Sequence, residues 1–524
     1  MDARNLSLGS VQAFVVQYTT RLSSNALSLL NMRLFVIVFL FLTAFGIRLY
    51  HVNEPPLNFH ATRQYRSLII ARGYYFDSSN SIPEWERQVA RSSQQRQGIL
   101  EPPIMEFMVS IGYRILGGEH LWLPRLLSSL FWLIGGVFLY LIGKKIVDAD
   151  AALFGTAFYL FLPFAVVASR SFQPDPLMIM ALLASVFAIL RYYDAPSNSR
   201  LVIAAVVSAF AFVVKPGSVF AIVGAFVALA ISIQGIRRAI LSRALLVFLA
   251  ITLTPTFLIY LYGIFTGTFL VNEAKKTLLP QLWVSGFFWR GWLINIGDTV
   301  GFIPFIGALL GMLMFHQGRP RALMIGLWIG YIVFCLALNY NLATHNYYQL
   351  QLIPIAGLSI GPMMALVMNH LNQIHPQWPW RMVAWSILSV ALLIALKDAR
   401  SRLVVPDFER KVAIEQEIGE HVNHSTKTIF LSDDYGVPLE YHGLLSGSSW
   451  PLASDLEWER LAGKPVLGAR DRFNAWFAKT SPEYFIVEGL REFEQQPDLK
   501  EFLTVNYPII AQKDGYIIFA LSGR

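Results

Sequence analysis

Residues 121–145 read LWLPRLLSSLFWLIGGVFLYLIGKK, with no charge between Arg125 and the pair Lys144 and Lys145. A helix needs about 20 apolar residues to cross the hydrocarbon core of a bilayer, so Leu121 to Ile142 is predicted to span a membrane. The same test, carried outward along the chain, finds eleven spans. The others are Leu34 to Tyr50, Ala151 to Ala168, Pro176 to Leu190, Leu201 to Val214, Ser218 to Ile233, Ala244 to Phe265, Gly291 to Phe315, Leu323 to Leu338, Leu350 to Val367 and Met382 to Leu396. The fourth to sixth are short, which tilt or cover from neighbouring helices accommodates. Composition agrees: of 524 residues 55% are hydrophobic and 15% charged, with a mean hydropathy of +0.49, whereas soluble chains carry roughly 25% charged residues.

Basic residues of short loops remain on the cytoplasmic side. Lys144 and Lys145, Arg191 and Arg200, Arg237, Arg238 and Arg243, Arg319 and Arg321, and Arg381 fall in alternate loops, on the same side as Arg21 and Arg33. The amino terminus is therefore expected inside, with residues 1–33 a cytoplasmic leader that has neither a cleavage signal nor a continuous apolar core. Residues 34–396 form the membrane domain. An odd number of spans puts the long polar loop 51–120 and residues 397–524 outside. That tail carries strand-like runs TIFLS, YFIV and YIIFAL and a helical stretch from Phe408 to Val422, which predicts a small α/β domain. A net charge of +8 and pI near 9.4 do not indicate nucleic acid, because the basic residues are scattered between apolar runs and form no patch. Cys335 is the single cysteine, so no intrachain disulfide and no Cys/His metal cluster is expected.

With sides assigned, the polar residues that seem out of place collect outside. The first outer loop brings Glu54, Asn58, His60, Arg63, Gln64, Arg66 and Arg72, then Glu101 and Glu106. Arg63, Arg66 and Ser67 share one helical face. Arg125, Arg170, Asp175, Lys215, His345, Tyr347 and Tyr348 follow at the outer ends of later spans. Ionisable groups at membrane depth are costly and mark substrate paths. Arg meets a phosphate with two hydrogen bonds and Lys as a point charge, and a nearby carboxylate can take the proton of an acceptor hydroxyl. Plainer roles exist for each: Arg125 as a snorkelling anchor, Arg170 with Asp175 as a structural ion pair, Lys215 as an interfacial anchor, and His345 with the tyrosines as an aromatic belt. His60 has no second histidine at metal spacing, so no metal site is assigned.

At these residues the chain resembles the bacterial GT-C glycosyltransferases of the protein-mannosyltransferase type, a group that includes the lipid A aminoarabinose transferase. The resemblance rests on NFHATRQYRSLIIAR at 58–72, EPPIMEF at 101–107, LWLPRLLSSLFWLIGG at 121–136, QPDPLM at 173–178, VKPG at 214–217 and HNYYQLQLIP at 345–354, in that order. It implies a bundle of about eleven spans with two amphipathic helices in the first outer loop, an active site facing the periplasm of a bacterial inner membrane, and a monomeric chain. It also implies an undecaprenyl-phosphate or similar lipid-linked sugar donor, an inverting transfer to a lipid, glycan or protein acceptor, and no obligatory cofactor, a divalent cation being compatible but not indicated. By position, Arg63, Arg66 and Lys215 would engage the donor, Glu101 and Asp175 would orient donor or acceptor, and His345 with Tyr347 would close the pocket. Where the family places its first-loop catalytic aspartate this chain has Asn58, and an amide cannot accept a proton. Glu54 or Asp175 then takes that role, or the chain is a specialised member, or an Asp-to-Asn change has inactivated it. If Asn58 does occupy the base position, Asn58→Asp is expected to raise turnover.

Two other classes fit many spans with an outer vestibule. A transporter would place its charges near the bilayer midplane on broken helices and show internal repeats, whereas here the charges gather at one interface. A non-enzymatic subunit that binds the lipid carrier is the other, and it would release no carrier phosphate.

Overall fold

The structure, a computed structural model, describes residues 32–98, 101–266, 279–374, 379–461, 465–477 and 480–521; most of the expected leader lies outside these. Eight helices among the described residues are long and apolar enough to cross a membrane, from Met32–Leu49 and Trp122–Ile146 to Asn346–Leu371 and the stretch that begins at Met382. Two expected spans are each broken in two. The third is Ala149–Phe161 followed by Pro163–Ser169, bent by 62°, and the eighth is Gly286–Thr299 followed by Phe302–Leu313, bent by 95°. Pro163 removes a helical N–H in the first case, and Gly301 at φ +83° turns the chain in the second. The fifth, Asn198–Val214, is the shorter apolar helix that the sequence implied. The helix Trp380–Leu403, where the eleventh span is expected, runs past Lys397.

Helices in lipid gain no hydrophobic drive from packing on one another, so close approach of small residues replaces it. Helices Val219–Gln234 and Arg319–Ala337 meet at Gly224 and Gly326, where a Cβ on either glycine would lie 2.3 Å from the other's carbonyl oxygen. Arg33 binds Asp150 at 3.0 Å and Lys145 binds Asp194, which ties three of the predicted same-side basic segments together.

The first outer loop contains three helices and not two: Ala61–Asp77, Glu84–Arg96 and Ile104–Leu116. The first is largely buried because the other two pack against it on one side and the C-terminal domain on another. That domain holds a five-stranded sheet of order β2-β1-β3-β5-β4, with β1 at Thr428–Leu431, β2 at Gly447–Ser449, β3 at Tyr484–Val487, β4 at Ile509–Lys513 and β5 at Tyr516–Ala520. β1 runs parallel to β2 and β3, and β5 antiparallel to β3 and β4. Continuous apolar strands mean cover on both faces. Ile429, Leu431, Phe485 and Phe519 pack with Trp450 and Leu503 on one side, and Phe430, Ile486 and Ile518 with Ile418 and Leu439 on the other. Each such side chain contributes roughly 1.5–3 kcal/mol on full burial. Tyr65 Oη lies 2.7 Å from His442 Nε2, Ser93 Oγ donates to the Leu445 carbonyl at 3.0 Å, and Gln97 Nε2 donates to Glu440 at 3.0 Å. Loop and domain therefore stand on the same side of the membrane helices.

The break at Leu162 leaves helix-end carbonyls that lipid cannot solvate. Trp132 Nε1 donates to the Tyr159 carbonyl at 3.3 Å, and Arg48 Nη2 to that of Leu160 at 2.9 Å. Arg48 is fully buried and also donates to Ser169 Oγ at 2.7 Å and the Ala44 carbonyl at 2.8 Å. One guanidinium thus holds both halves of the broken span. Arg48→Leu is expected to cost about 3 kcal/mol, from the loss of charge-assisted hydrogen bonds to buried oxygens, and to lower the melting temperature in detergent; an unchanged melt would contradict this assignment.

Candidate functional site

Helices Asp175–Asp194 and Asn198–Val214 form a tight antiparallel hairpin, so the start of one and the end of the other must meet. Asp175 is the first residue of the first and Lys215 caps the second. A carboxylate at a helix start and a cation at a helix end each complement the backbone dipole. Lys215 Nζ lies 2.8 and 3.0 Å from the two oxygens of Asp175, with Asp175 1% and Lys215 8% exposed. The rings of Tyr347 and Tyr348 cover the ammonium, their centroids 5.2 and 5.0 Å from Nζ. These tyrosines come from the short turn after Asn339–Thr344, so three separated segments converge here.

Beside this pair is a cavity of about 250 Å³. Arg63, Arg66, Ser67, Ile70 and Tyr74 line one wall at helical spacing, while Glu101, Pro102, Pro103 and Glu106 line the other. Arg63 Nη2 donates to Glu101 Oε1 at 3.2 Å, its guanidinium also lying 5.8 Å from the Tyr347 ring, and Arg66 donates to the Gly98 carbonyl. Burial alone would raise the Glu101 carboxyl, but Arg63, with Lys215 and Arg66 beyond it, holds it below the usual range. Glu106 goes the other way: burial pushes it up, although Ser67 Oγ donates to it at 2.7 Å. Two carboxyl groups in one cavity are thus driven in opposite directions, a pattern common at acid–base sites. The cavity therefore offers cations to an anionic group and carboxyl oxygens to hydroxyls.

His60 Nε2 lies 2.8 Å from Asn346 Oδ1 and its ring 4.7 Å from that of Tyr347, with His345 at 6.3 Å. Burial lowers both histidines, and His345 falls to about 4 with further help from His60, Arg63 and Lys215. His442 falls to about 3, chiefly by burial. Among the described residues no group of three or more His, Cys, Asp or Glu side chains is placed to hold a metal ion.

Not every candidate joins this cluster. Asp175 pairs with Lys215, and Arg170 instead donates to the carbonyls of Tyr50 and His51. Arg125 binds the same turn through the His51 carbonyl at 3.0 Å, and Glu54 is held by His51. Gln64 donates to the Phe59 carbonyl at 2.5 Å and accepts from Phe172 N at 3.1 Å. Arg72 binds Glu119 at 3.0 Å and the Tyr441 carbonyl at 2.6 Å, and stands over the Tyr441 ring. These side chains hold backbone and domains in place. The Asn58 amide faces the carbonyls of Arg402 and Leu403 at 3.4 Å, at the end of the last membrane helix. Two contributors lie beyond the sequence expectations: Asn346, inside the motif HNYYQLQLIP, and Asp434, bonded to Thr62 at 3.0 Å from 372 positions away.

A membrane bundle with this outer cavity and α/β domain defines a GT-C architecture, and comparisons with known proteins agree. The family model for dolichyl-phosphate-mannose-protein mannosyltransferases matches residues 100–260, a stretch that carries Glu101, Asp175 and Lys215. ArnT from Cupriavidus metallidurans bound to undecaprenyl phosphate superposes with a TM-score of 0.56 at 15% identity, covering 94% of this chain and 98% of that one. The archaeal oligosaccharyltransferase AglB from Archaeoglobus fulgidus, in complex with an inhibitory peptide and a dolichol-phosphate, gives 0.52 at 11% identity, over 94% of this chain and 74% of that one. No curated protein sequence matches. The resemblance read from the motifs is borne out, and the chain is a multi-pass membrane protein with the GT-C fold.

Removing one partner of a buried ion pair costs about 3–5 kcal/mol, because the other charge is left uncompensated. Lys215→Met is therefore expected to melt well below the parent, and the double variant Asp175→Leu with Lys215→Met to recover most of that loss; equal melting of the single and double variants would contradict a buried pair. The lowered histidines set the sign of the pH dependence. The unfolded chain binds protons at His345 near its ordinary value of 6.5 and the folded chain only near 4, so stability present at neutral pH is lost as pH falls through that window. The melting temperature should fall between pH 7 and pH 5, and His345→Gln should reduce the fall; a flat profile would count against burial of these rings.

Proposed function

We propose that this chain is a glycosyltransferase that takes a sugar from a polyprenyl-phosphate carrier and passes it, with inversion, to an acceptor hydroxyl. The observation that carries this is the cavity in which Arg63 and Arg66 face Glu101 and Glu106 beside the buried Asp175–Lys215 pair. Support also comes from a fold shared over 94% of the chain with a transferase bound to undecaprenyl phosphate. A lipid-linked phosphate reaches the outer ends of the spans from the bilayer. Arg63, Arg66 and Lys215 meet its charge, and the same cations stabilise the carrier phosphate as it leaves. Glu101 and Asp175 accept hydrogen bonds from sugar hydroxyls, and His345 with Tyr347 closes the site. On this reading the protein sits in a bacterial inner membrane with its amino terminus in the cytoplasm and its α/β domain in the periplasm. It works as a monomer without an obligatory cofactor, on a lipid, glycan or protein acceptor.

Purified protein in liposomes, given undecaprenyl phosphate carrying labelled mannose, glucose or 4-amino-arabinose, should release free carrier phosphate from at least one of them. Arg63→Ala should weaken donor binding about 10- to 100-fold, the loss of one charge-assisted contact. Carrier binding without release would instead indicate a binding subunit, and solute transport without carrier binding a transporter.

A further inference from the structure

We infer that Asp434, carried by the C-terminal domain, is the carboxylate that accepts the proton of the acceptor hydroxyl; this rests on the transferase reading above. The carboxylates that the sequence offered for the task are already engaged. Asp175 is held by both oxygens on Lys215, Glu101 is on Arg63 and Glu54 on His51. A carboxylate neutralised by a cation is a poor base. Asn58 can accept no proton, and its amide fits the helix-end carbonyls of Arg402 and Leu403, where a carboxylate would meet like partial charge.

Asp434 differs. Among the described residues it forms no ion pair, and its Oδ1 accepts a hydrogen bond from Thr62 Oγ1 at 3.0 Å. Thr62 lies between His60 and Arg63 on the first turn of the helix whose next turns line the cavity. Oδ2 remains for an acceptor. The backbone is held unusually to achieve this: Asp434 at φ 52° and Tyr435 at φ 58° are both left-handed, followed by Gly436 at φ 72°. Such conformations persist where surroundings force them, and they gather at functional sites. The turn packs closely on the sheet, since a Cβ on Gly436 would lie 2.2 Å from the Phe430 ring, and Tyr435 Oη bonds Asp455 at 3.1 Å. The charged and titratable groups around Asp434 are His60 and Tyr65 of the outer-loop helix and Glu415, Glu488 and Tyr435 of its own domain.

In the step assigned to it, the acceptor O–H bond breaks and its proton passes to Asp434. The acceptor oxygen bonds the anomeric carbon, and the bond from that carbon to the phosphate oxygen breaks. Its electron pair leaves on the polyprenyl phosphate, which Arg63, Arg66 and Lys215 hold.

The test uses full-length protein in liposomes and whichever of the undecaprenyl-phosphate sugars named above the parent turns over. Asp434→Asn should lower kcat at least 100-fold, with donor KM and undecaprenyl phosphate binding within threefold of the parent. Thr62→Val, which removes the hydrogen bond but keeps the carboxylate, should lose less than tenfold. Asp434→Glu should retain measurable turnover and shift the acidic limb of the kcat–pH profile, a change that a purely structural link between domains would not produce. A kcat for Asp434→Asn within fivefold of the parent overturns the assignment. If that variant fails to melt cooperatively, Asp434→Glu decides, and an unmoved acidic limb overturns it. A parent that turns over none of these donors overturns the transferase reading itself, and with it the role of Asp434.

Discussion

The buried contact between Asp175 and Lys215 is the constraint around which the outer half of this molecule is arranged. Removing two charges from water costs several kcal/mol for each ion, and only a close partner with further polar or aromatic cover offsets it. Here both carboxylate oxygens lie within 3.0 Å of the ammonium, and two tyrosine rings cover its remaining side. That arrangement requires the hairpin 175–214 to close squarely and the turn carrying Tyr347 to fold over its end. It also sets Lys215 and Arg63 against the same Tyr347 ring.

The helix Ala61–Asp77 is the other organising element, because it is shared between two environments. One side packs on the other two helices of the loop, and Gln64 accepts from Phe172 N at the end of the broken span. Another meets the α/β domain through Tyr65, Arg72 and Thr62. A site built along such a helix can receive a lipid headgroup laterally from the bilayer and an acceptor from the aqueous side. Two domains must then fold against each other before the site exists, which is the reason a polar residue such as Arg72 is buried at the seam.

Much of this was legible in the sequence because its signals are local. Apolar runs gave the spans, alternating loop charges grouped the span ends that the Arg33–Asp150 and Lys145–Asp194 pairs bring together, and the runs TIFLS, YFIV and YIIFAL gave strands of a small α/β domain. The spacing of Arg63, Arg66 and Ser67 placed them on one wall of one cavity. What stayed hidden depends on partners distant in sequence. Arg48 looked like the end of a span, and only the break at Leu162 gives it carbonyls to bind. Arg125 and Arg170 have the composition of ligand-binding residues, yet the oxygens they reach belong to the turn at Tyr50 and His51. Asp434 sits in an ordinary turn sequence, SDDYG, with nothing nearby to tell that its partner is Thr62.

On the proposed function the arginine-lined cavity receives a polyprenyl phosphate. Native mass spectrometry of the protein, extracted gently from membranes, tests it without knowledge of the sugar or acceptor. The parent is expected to carry a polyprenyl-phosphate or polyprenyl-phosphate-sugar adduct that is lost from Arg63→Ala with Arg66→Ala. An adduct retained in full by that double variant, or a parent that carries only bulk phospholipid even after incubation with undecaprenyl phosphate, would contradict it.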